Sequence, residues 1–262
     1  MITVRDIEKY LYSWAPRELA ESWDNVGLLV GDGEAEVKRV LVSLDITEAV
    51  VDEAVALRAD LIVAHHPIMN CTWHPVQSLT SDSALGRMVS KLMKNGISAI
   101  CMHTNLDAAE GGVNDILAET LGLTTLISLT EEKIGRVGTL KKCEMPLVEF
   151  VQDVVKYLGC NGARFTDCGK RVHRVAVGGG ACGDYIPQAI ALGCDTFVTS
   201  DLKYHAFLDT KELNLIDAGH FPTENVVCPV VAKRLETAFP ALEVTLTKVH
   251  DREVIQYCTK EN

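Results

Sequence analysis

Residues 39–66, RVLVSLDITEAVVDEAVALRADLIVAHH, contain a β-branched run, a helix-forming stretch and a second apolar run that ends in two histidines. They align without a gap on residues 174–201, RVAVGGGACGDYIPQAIALGCDTFVTSD, at an offset of 135 residues. Eight of the 28 positions are identical: Arg39/Arg174, Val40/Val175, Val42/Val177, Ala54/Ala189, Ala56/Ala191, Leu57/Leu192, Asp60/Asp195 and Val63/Val198. A strand–helix–strand unit that occurs twice predicts two related lobes.

Strands and helices alternate on both sides of each copy. Strands are predicted at 38–44, 61–64, 97–102, 174–177, 196–199 and 213–218, and helices at 1–15, 47–58, 83–95, 146–158 and 184–192. Continuous apolar strands that alternate with helices are typical of sheets covered on both faces. We therefore predict an α/β protein with two pseudo-symmetric α/β lobes and mostly covered sheets. Residues 1–262 would form one compact unit, with lobes at about 1–123 and 173–262 and residues 124–172 connecting them.

A histidine followed four residues later by a carboxylate occurs in both halves, as His103-Thr-Asn-Leu-Asp107 and His220-Phe-Pro-Thr-Glu224. We call each of these two motifs a histidine–carboxylate device. His65 and His66 stand, like His103, where a predicted strand ends. In open α/β sheets, ligands bind at the carboxyl ends of the strands. Imidazole and carboxylate ligands from two matching halves therefore predict a metal site between the lobes.

The ligand types suit two divalent ions rather than one. Adjacent residues of a strand point to opposite faces, so His65 and His66 reach one site only where the chain turns, and each would take a different metal. Asp107 and Glu224 could bridge two cations, as carboxylates do in hydrolases. With His220, the set leaves positions open for water, which a catalytic centre requires. Zinc, iron, manganese and nickel all suit such ligands.

His103 has two interpretations, because it either binds a metal itself or orients Asp107.

Each motif also has a plain alternative. Two adjacent histidines often form a polar strand end, and histidine–carboxylate pairs four residues apart are common on exposed helices. His74, His173 and His250 lack such a context and are interpreted as ordinary histidines.

A glycine motif in the second half competes with the metal hypothesis. Gly178, Gly180 and Gly183 satisfy GxGxxG between a predicted strand and a predicted helix, and Asp201 follows where a ribose-binding acid would stand. The aligned segment of the first half has no glycine, however, and Asp201 aligns with His66. The glycines could instead let backbone amides approach a phosphate or a neighbouring chain.

Composition argues against several classes of function. The net charge of -11 disfavours binding to nucleic acid and to anionic membranes. No apolar run approaches the roughly 20 residues that span a bilayer, and residues 1–15 lack the features of a signal peptide. The nine cysteines are scattered and form no CxxC pair, which favours reduced thiols over zinc ribbons. A cytoplasmic protein is expected.

The sequence resembles the GTP cyclohydrolase 1 type 2 homologues, also described as dinuclear metal centre hexameric proteins. The motifs that carry the resemblance are 22–31 (SWDNVGLLVG), 64–67 (AHHP), 103–108 (HTNLDA), 111–114 (GGVN), 178–180 (GGG), 199–205 (TSDLKYH) and 219–220 (GH) with Glu224. The resemblance implies two metal ions per subunit on His65, His66, Asp107, His220 and Glu224. It also implies a ring-shaped homohexamer whose sites face an interior cavity, and the family name implies GTP ring opening.

We therefore expect a metal-dependent hydrolase of the cyclohydrolase or phosphoesterase type that acts on a small molecule or nucleotide. Asp201, Lys203 and His205 could supply acid–base groups or anion contacts, or they could form an exposed helix start. The alternative function is a noncatalytic metal-binding or metal-delivery ring. A third, less favoured function is that of a nicotinamide-dinucleotide-binding enzyme.

Overall fold

The computed structural model describes residues 1–69, 75–141 and 144–258. Its helices are α1 (Val4–Trp14), α2 (Glu48–Leu57), α3 (Ala84–Lys94), α4 (Thr104–Ala108), α5 (Val113–Thr120), α6 (Leu147–Leu158), α7 (Ile186–Ala191), α8 (Tyr204–Asp209), α9 (His220–Glu224) and α10 (Cys228–Ala238). Its strands are β1 (Gly27–Val30), β2 (Arg39–Ser43), β3 (Leu61–Ala64), β4 (Ser98–Cys101), β5 (Leu123–Ser128), β6 (Arg136–Leu140), β7 (Arg164–Thr166), β8 (Arg174–Val177), β9 (Thr196–Thr199), β10 (Asn214–Asp217) and β11 (Glu243–Leu246).

Packing divides the chain into two compact units. Unit 1 consists of Met1–Glu110 and Cys228–Asp251, and unit 2 of Gly111–Val227 and the residues from Arg252 onward. The lobes at 1–123 and 173–262 stay a prediction made from the repeat. Each unit contains one sheet with helices, which confirms the predicted α/β class.

Unit 1 has a five-stranded sheet in the order β1-β4-β3-β2-β11. The strands β11, β2, β3 and β4 run parallel, and β1 is antiparallel to β4. Strand β11 comes from the second segment of the unit and places Leu246 opposite Val42. The last strand of unit 1, β11, thus pairs with β2, the first strand of the repeated stretch.

Both faces of the sheet in unit 1 are buried. One face packs against apolar residues of α2 and α3, including Val50, Ala54 and Leu92. Val40 and Ile100, which point to the other face, are at most 2% exposed. Thr47 caps α2 by accepting a hydrogen bond from the Val50 amide, and Ser83 caps α3 in the same way. The predicted covered sheet is therefore confirmed here.

Unit 2 has a six-stranded sheet in the order β5-β6-β8-β9-β10-β7. The strands β8, β9 and β10 are parallel, whereas β5, β6 and β7 pair antiparallel. Helices α5 and α6 cover one face, with Phe150 and Val154 packed near Val175 and Ile216. Residues 124–172, for which the sequence predicts one helix, contribute strands as well. These strands contain polar residues and one glycine, Gly138, so they lack the continuous apolar run that predicted the others.

The sequence repeat is reproduced in the strand register. In unit 1, Val40 lies opposite Leu61 across the β2–β3 pair. In unit 2, Val175 lies opposite Thr196 across the β8–β9 pair, and both residues are 135 positions further along the chain. The two copies therefore form the same parallel unit with the same register.

A repeated aspartate explains one of the identical pairs. Asp60 Oδ2 accepts hydrogen bonds from the amides of Arg39 and of the residue before it, both at 2.8 Å. Asp195 Oδ2 accepts the equivalent bonds from Arg174 and the residue before it, at 2.6 and 2.9 Å. Each aspartate satisfies two backbone donors where the first strand of the repeat begins.

None of the helices in the described part of the chain is both long enough and apolar enough to cross a membrane.

Candidate metal centre

The two adjacent histidines of unit 1 lie where β3 leaves the sheet. The amides of His65 and His66 both donate to the carbonyl oxygen of Leu44, at 3.1 and 2.9 Å, so the chain turns directly after the strand. The two imidazole centroids are 4.9 Å apart. The turn thus satisfies the condition under which neighbouring side chains can serve one site.

A third imidazole and a carboxylate follow the neighbouring strand. After β4, His103 stands at the N-cap of the short helix α4, which carries Asp107. His65, His66 and His103 each offer a ring nitrogen within 4.8 Å of the other two, an arrangement that could hold a metal ion. His65 Nε2 lies 3.7 Å from Asp107 Oδ1. The four side chains form what we call the unit 1 cluster.

Hydrogen bonds fix the orientation of the first two rings. His65 Nδ1 lies 2.8 Å from the carbonyl oxygen of Met102, and His66 Nδ1 lies 2.7 Å from Asp45 Oδ1. A carbonyl oxygen can only accept, so Nδ1 of His65 carries the proton and Nε2 of the neutral ring carries the lone pair. The Asp45 carboxylate favours the same tautomer of His66. This is the orientation that metal-binding histidines adopt in proteins.

His103 is held by an aspartate that lies far away in the sequence. His103 Nδ1 is 2.8 Å from Asp24 Oδ1, and Asp24 Oδ2 accepts the Thr104 amide at 3.0 Å. Burial raises the pKa of Asp24, but hydrogen bonds from His103 and Thr104 outweigh burial and lower that pKa to about 2. Asp24 is therefore ionised at neutral pH and favours the neutral His103 tautomer that carries its lone pair on Nε2.

Asp45 contacts a second histidine. Its Oδ2 lies 2.7 Å from His250 Nε2, while Oδ1 holds His66. Burial opposes ionisation of Asp45, but the hydrogen bonds from His250 and His66 outweigh burial and hold its pKa well below the usual value. The carboxylate thus accepts from two imidazoles.

The second histidine–carboxylate device lies on α9 in unit 2. His220 Nε2 is 3.0 Å from Glu224 Oε2, and the Glu224 carboxylate is almost fully buried. His220 Nδ1 is 2.6 Å from Asp201 Oδ2, the same type of support that His66 and His103 receive. Asp201 has a φ of 55°, a left-handed conformation that aspartate tolerates better than most residues.

The glycine loop of unit 2 packs directly against this pair. A Cβ atom on Gly180 would stand 2.1 Å from Glu224 Oε1 and 3.1 Å from His220 Nε2, and Gly180 has a φ of +66°. A Cβ on Gly179 would meet Glu224 Cγ at 3.2 Å. Glycine is therefore required here to let the loop backbone pass beside the α9 side chains.

The amides of the loop already have partners within unit 2. Gly179 donates to Asn114 Oδ1 at 2.9 Å, and Gly180 donates to Thr223 Oγ1 at 3.0 Å. A dinucleotide fingerprint needs such amides for the pyrophosphate. The following helix α7 is short and begins after a 3-10 turn at Gly183–Tyr185, with a proline in its first turn. The contacts of the loop thus argue against the nicotinamide alternative.

The other sequence-predicted residues are placed as follows. Asp201 supports His220, whereas Lys203 and His205 are exposed at the start of α8. Their catalytic role stays a prediction. His173 is half-buried in unit 2, and His74 lies outside the described residues.

Sequence reasoning missed Asp24, Asp45 and His250 as supports of the unit 1 cluster. Asp24 stands inside the SWDN motif, and Asp45 follows a strand at its carboxyl end, so both positions carried a signal. His250 carried none, because it approaches Asp45 only through the pairing of β11 with β2.

The donor set of unit 1 fits a divalent transition metal. It offers three imidazoles and one carboxylate, with the imidazoles oriented through Nδ1, and this mixture suits zinc, iron, manganese or nickel. Sulfur ligands are not part of the cluster, so a thiolate-type structural zinc site does not describe it.

Comparison with known proteins assigns the chain to a family. The sequence profile of the Duf34/NIF3 (NGG1p interacting factor 3) family matches residues 2–253. The chain belongs to the Duf34/NIF3 family. The resemblance noted in the sequence is thereby confirmed. A "GTP cyclohydrolase 1 type 2 homolog" of Clostridium perfringens is 36% identical over 242 residues, covering 89% of this chain and 91% of the relative.

Solved structures of proteins with similar sequences share the fold. A Bacillus cereus protein related to NIF3 superposes with a TM-score of 0.90 at 26% identity, covering 98% of this chain and 99% of its own. Reduced HcgD from Methanocaldococcus jannaschii superposes with a TM-score of 0.82 at 28% identity, covering 94% and 98%. The two-sheet α/β architecture is therefore that of the family.

Proposed function

We propose that this Duf34/NIF3 protein is a dinuclear-metal-dependent hydrolase that acts on a small molecule or nucleotide. The proposed ligands are His65, His66, Asp107, His220 and Glu224. One observation carries the proposal: the imidazoles of the unit 1 cluster are held through Nδ1 by oxygen acceptors and converge within 4.8 Å. Ordinary surface histidines have no need of such support.

The number of metal-donor groups supports a metal centre with ligands from both histidine–carboxylate devices. His220 and Glu224 supply two donors, fewer than the three protein ligands usual for a catalytic zinc ion. The unit 1 cluster offers four donors, and a carboxylate can bridge two ions. We therefore propose that the His220–Glu224 pair completes a dinuclear centre with the unit 1 cluster, as the resemblance implies.

Different residues of the chain would have different roles in such a reaction. When bound, divalent ions lower the pKa of a coordinated water and make it a nucleophile near neutral pH. Asp24, Asp45 and Asp201 hold imidazoles in orientation. Lys203 is exposed and could contact an anionic group of the substrate, and His205 could carry a proton to the leaving group.

The substrate class is proposed from the relatives and from the chemistry. Curated relatives carry the name GTP cyclohydrolase 1 type 2 homolog, so GTP and other purine nucleotides are the first compounds to test. Phosphoesters and cyclic amides are the second group, because an activated water attacks either electrophile.

Assembly and location form part of the same proposal. The family resemblance supports a ring-shaped homohexamer, which mass measurement in solution would test. A cytoplasmic location is supported by the buried cysteines, such as Cys101 and Cys194, which suit a reducing compartment.

The test combines metal analysis with turnover. Protein purified under mild conditions should contain close to two divalent ions per chain, as the proposed two-metal site requires. The His65→Ala and Glu224→Ala variants should lose metal and turnover on a panel of nucleotides and phosphoesters. His173→Ala, which removes an imidazole outside both devices, is the matched control. Equal turnover in the wild type and both ligand variants would refute the mechanism.

A noncatalytic metal-delivery protein is the alternative outcome. Such a protein would release its ions readily to a competing chelator and turn over none of the panel. A hydrolase should retain its ions under the same conditions, because its reaction exchanges only the bound water.

A further inference from the structure

A histidine outside both histidine–carboxylate devices extends the hydrogen bonding of the unit 1 cluster. His66 Nδ1 is 2.7 Å from one oxygen of Asp45, and His250 Nε2 is 2.7 Å from the other. All three residues belong to unit 1. The side chain of His250 is 14% exposed and that of His66 is 21% exposed, so solvent reaches only a small part of either ring.

The backbone near His250 is anchored separately from its ring. Strand β11 pairs with β2 up to Leu246, and the Thr247 amide donates to the carbonyl oxygen of Val42 at 2.9 Å. Glu53 then accepts the Lys248 amide at 3.0 Å. The bond from His250 to Asp45 is therefore not needed to keep the strand in place.

We propose that His250 is a positioning residue of the metal centre and acts through Asp45 on His66. The inference rests on the proposed function, in which His66 is a metal ligand. Asp45 bound by one imidazole alone could rotate about its last side-chain torsion, because that torsion is broad in aspartate. A second hydrogen bond, to the other carboxylate oxygen, removes this rotation and fixes the direction from which His66 is held.

Two effects of His250 oppose each other, and their sizes decide the direction. The bond from His250 draws charge from Asp45 and makes His66 a weaker base, which would lower metal affinity. The same bond fixes the ring, which raises affinity. The Asp45 side chain is 37% exposed, so water screens the change in charge. Orientation should therefore dominate, and removal of His250 should weaken metal binding.

The experiment measures the zinc affinity of the full-length protein by competition with a chromophoric chelator. Removal of a group that supports a ligand usually weakens affinity 10–100-fold. His66→Ala should abolish zinc binding at one site. His250→Leu should weaken zinc binding at that same site by about tenfold, the lower end of that range, because His250 contacts His66 only through Asp45. His250→Gln places an amide donor near the position of Nε2 and should recover most of the affinity.

Further measurements separate positioning from stability. The exposed neighbour Val249 provides the control, and Val249→Ala should bind zinc like the wild type. The Nδ1 proton of His66, followed by NMR in the metal-free protein, should exchange faster with water in His250→Leu and return toward the wild type in His250→Gln. A structural role alone would lower the unfolding temperature without this pattern of rescue.

The outcomes distinguish the inference from the proposed function. If the wild type binds none of zinc, iron, manganese and nickel, the proposed function fails and the positioning role fails with it. If the wild type binds zinc and His250→Leu binds it equally well or more tightly, the positioning role is overturned while the proposed function stands. If His250→Gln is as weak as His250→Leu, the hydrogen bond is not the cause and the inference is also overturned.

Discussion

Gly180→Ala is the change whose consequences the structure defines most closely. The new Cβ would stand 2.1 Å from Glu224 Oε1, whereas real Cβ contacts stay above 3.0 Å. Either the loop or the carboxylate must therefore move by at least about 0.9 Å, the difference between these two distances, and the carboxylate at the end of a flexible side chain moves more easily. Metal–ligand distances tolerate about 0.2 Å. A ligand displaced this far no longer fits its ion.

The same change also strains the backbone, and this cost must be separated from the displacement. Gly180 has a φ of +66°, where alanine costs about 1–2 kcal/mol. Gly193 has a φ of +72° and nothing within 4 Å of its hypothetical Cβ, so Gly193→Ala has the backbone cost without the clash. It is the matched control for Gly180→Ala.

The assay pairs unfolding of the metal-free protein with zinc titration against a competing chelator. Both alanine variants should lose about 1–2 kcal/mol of stability. Zinc affinity should fall at least about tenfold, or ~1.4 kcal/mol, in Gly180→Ala and stay at the wild-type level in Gly193→Ala. Zinc binding by Gly180→Ala at wild-type strength would show that Glu224 is not a ligand or that the loop moves instead.

Three further predictions concern groups around the site and in the core. Asp24→Ala frees the His103 imidazole to rotate and should lower zinc affinity about 10–100-fold if His103 binds the metal directly, and unchanged affinity in a zinc titration would exclude His103 as a ligand. Asp60→Ala and Asp195→Ala should each cost about 1–3 kcal/mol in urea unfolding, since each leaves two backbone amides without their acceptor; a loss in one variant alone would contradict their equivalence. Burial raises the pKa of Cys194 to about 11, so iodoacetamide at pH 8 should modify exposed Cys258 before Cys194; the opposite order in mass spectrometry would contradict this prediction.

The parallel units of both sheets could be predicted closely from the sequence. Strands β2, β3, β8 and β9 are continuous apolar runs, and the structure places each within one or two residues of the prediction. Their side chains are buried on both faces, so packing and propensity favour the same structure. The antiparallel strands β1, β5, β6 and β7 were not predicted, because short strands with glycine and polar residues carry little periodic signal.

The candidate metal-binding residues could be predicted because chemistry and position coincide at the strand ends. His65, His66 and His103 follow strands directly, and their residue types limit what they can bind. The groups that orient them were harder to find. Asp24 is separated from His103 by 79 residues, and no local pattern connects the two.

The sequence by itself determined the repeated strand–helix–strand unit and the residue types available at the ends of its strands. These depend on local order, because apolar runs and fixed spacings specify strands wherever they occur. Only the tertiary structure decided which oxygen holds each imidazole, why Gly180 must lack a side chain, and how His250 approaches Asp45. Such contacts join residues that are distant in sequence, and their geometry is set by packing of the whole unit rather than by any single segment.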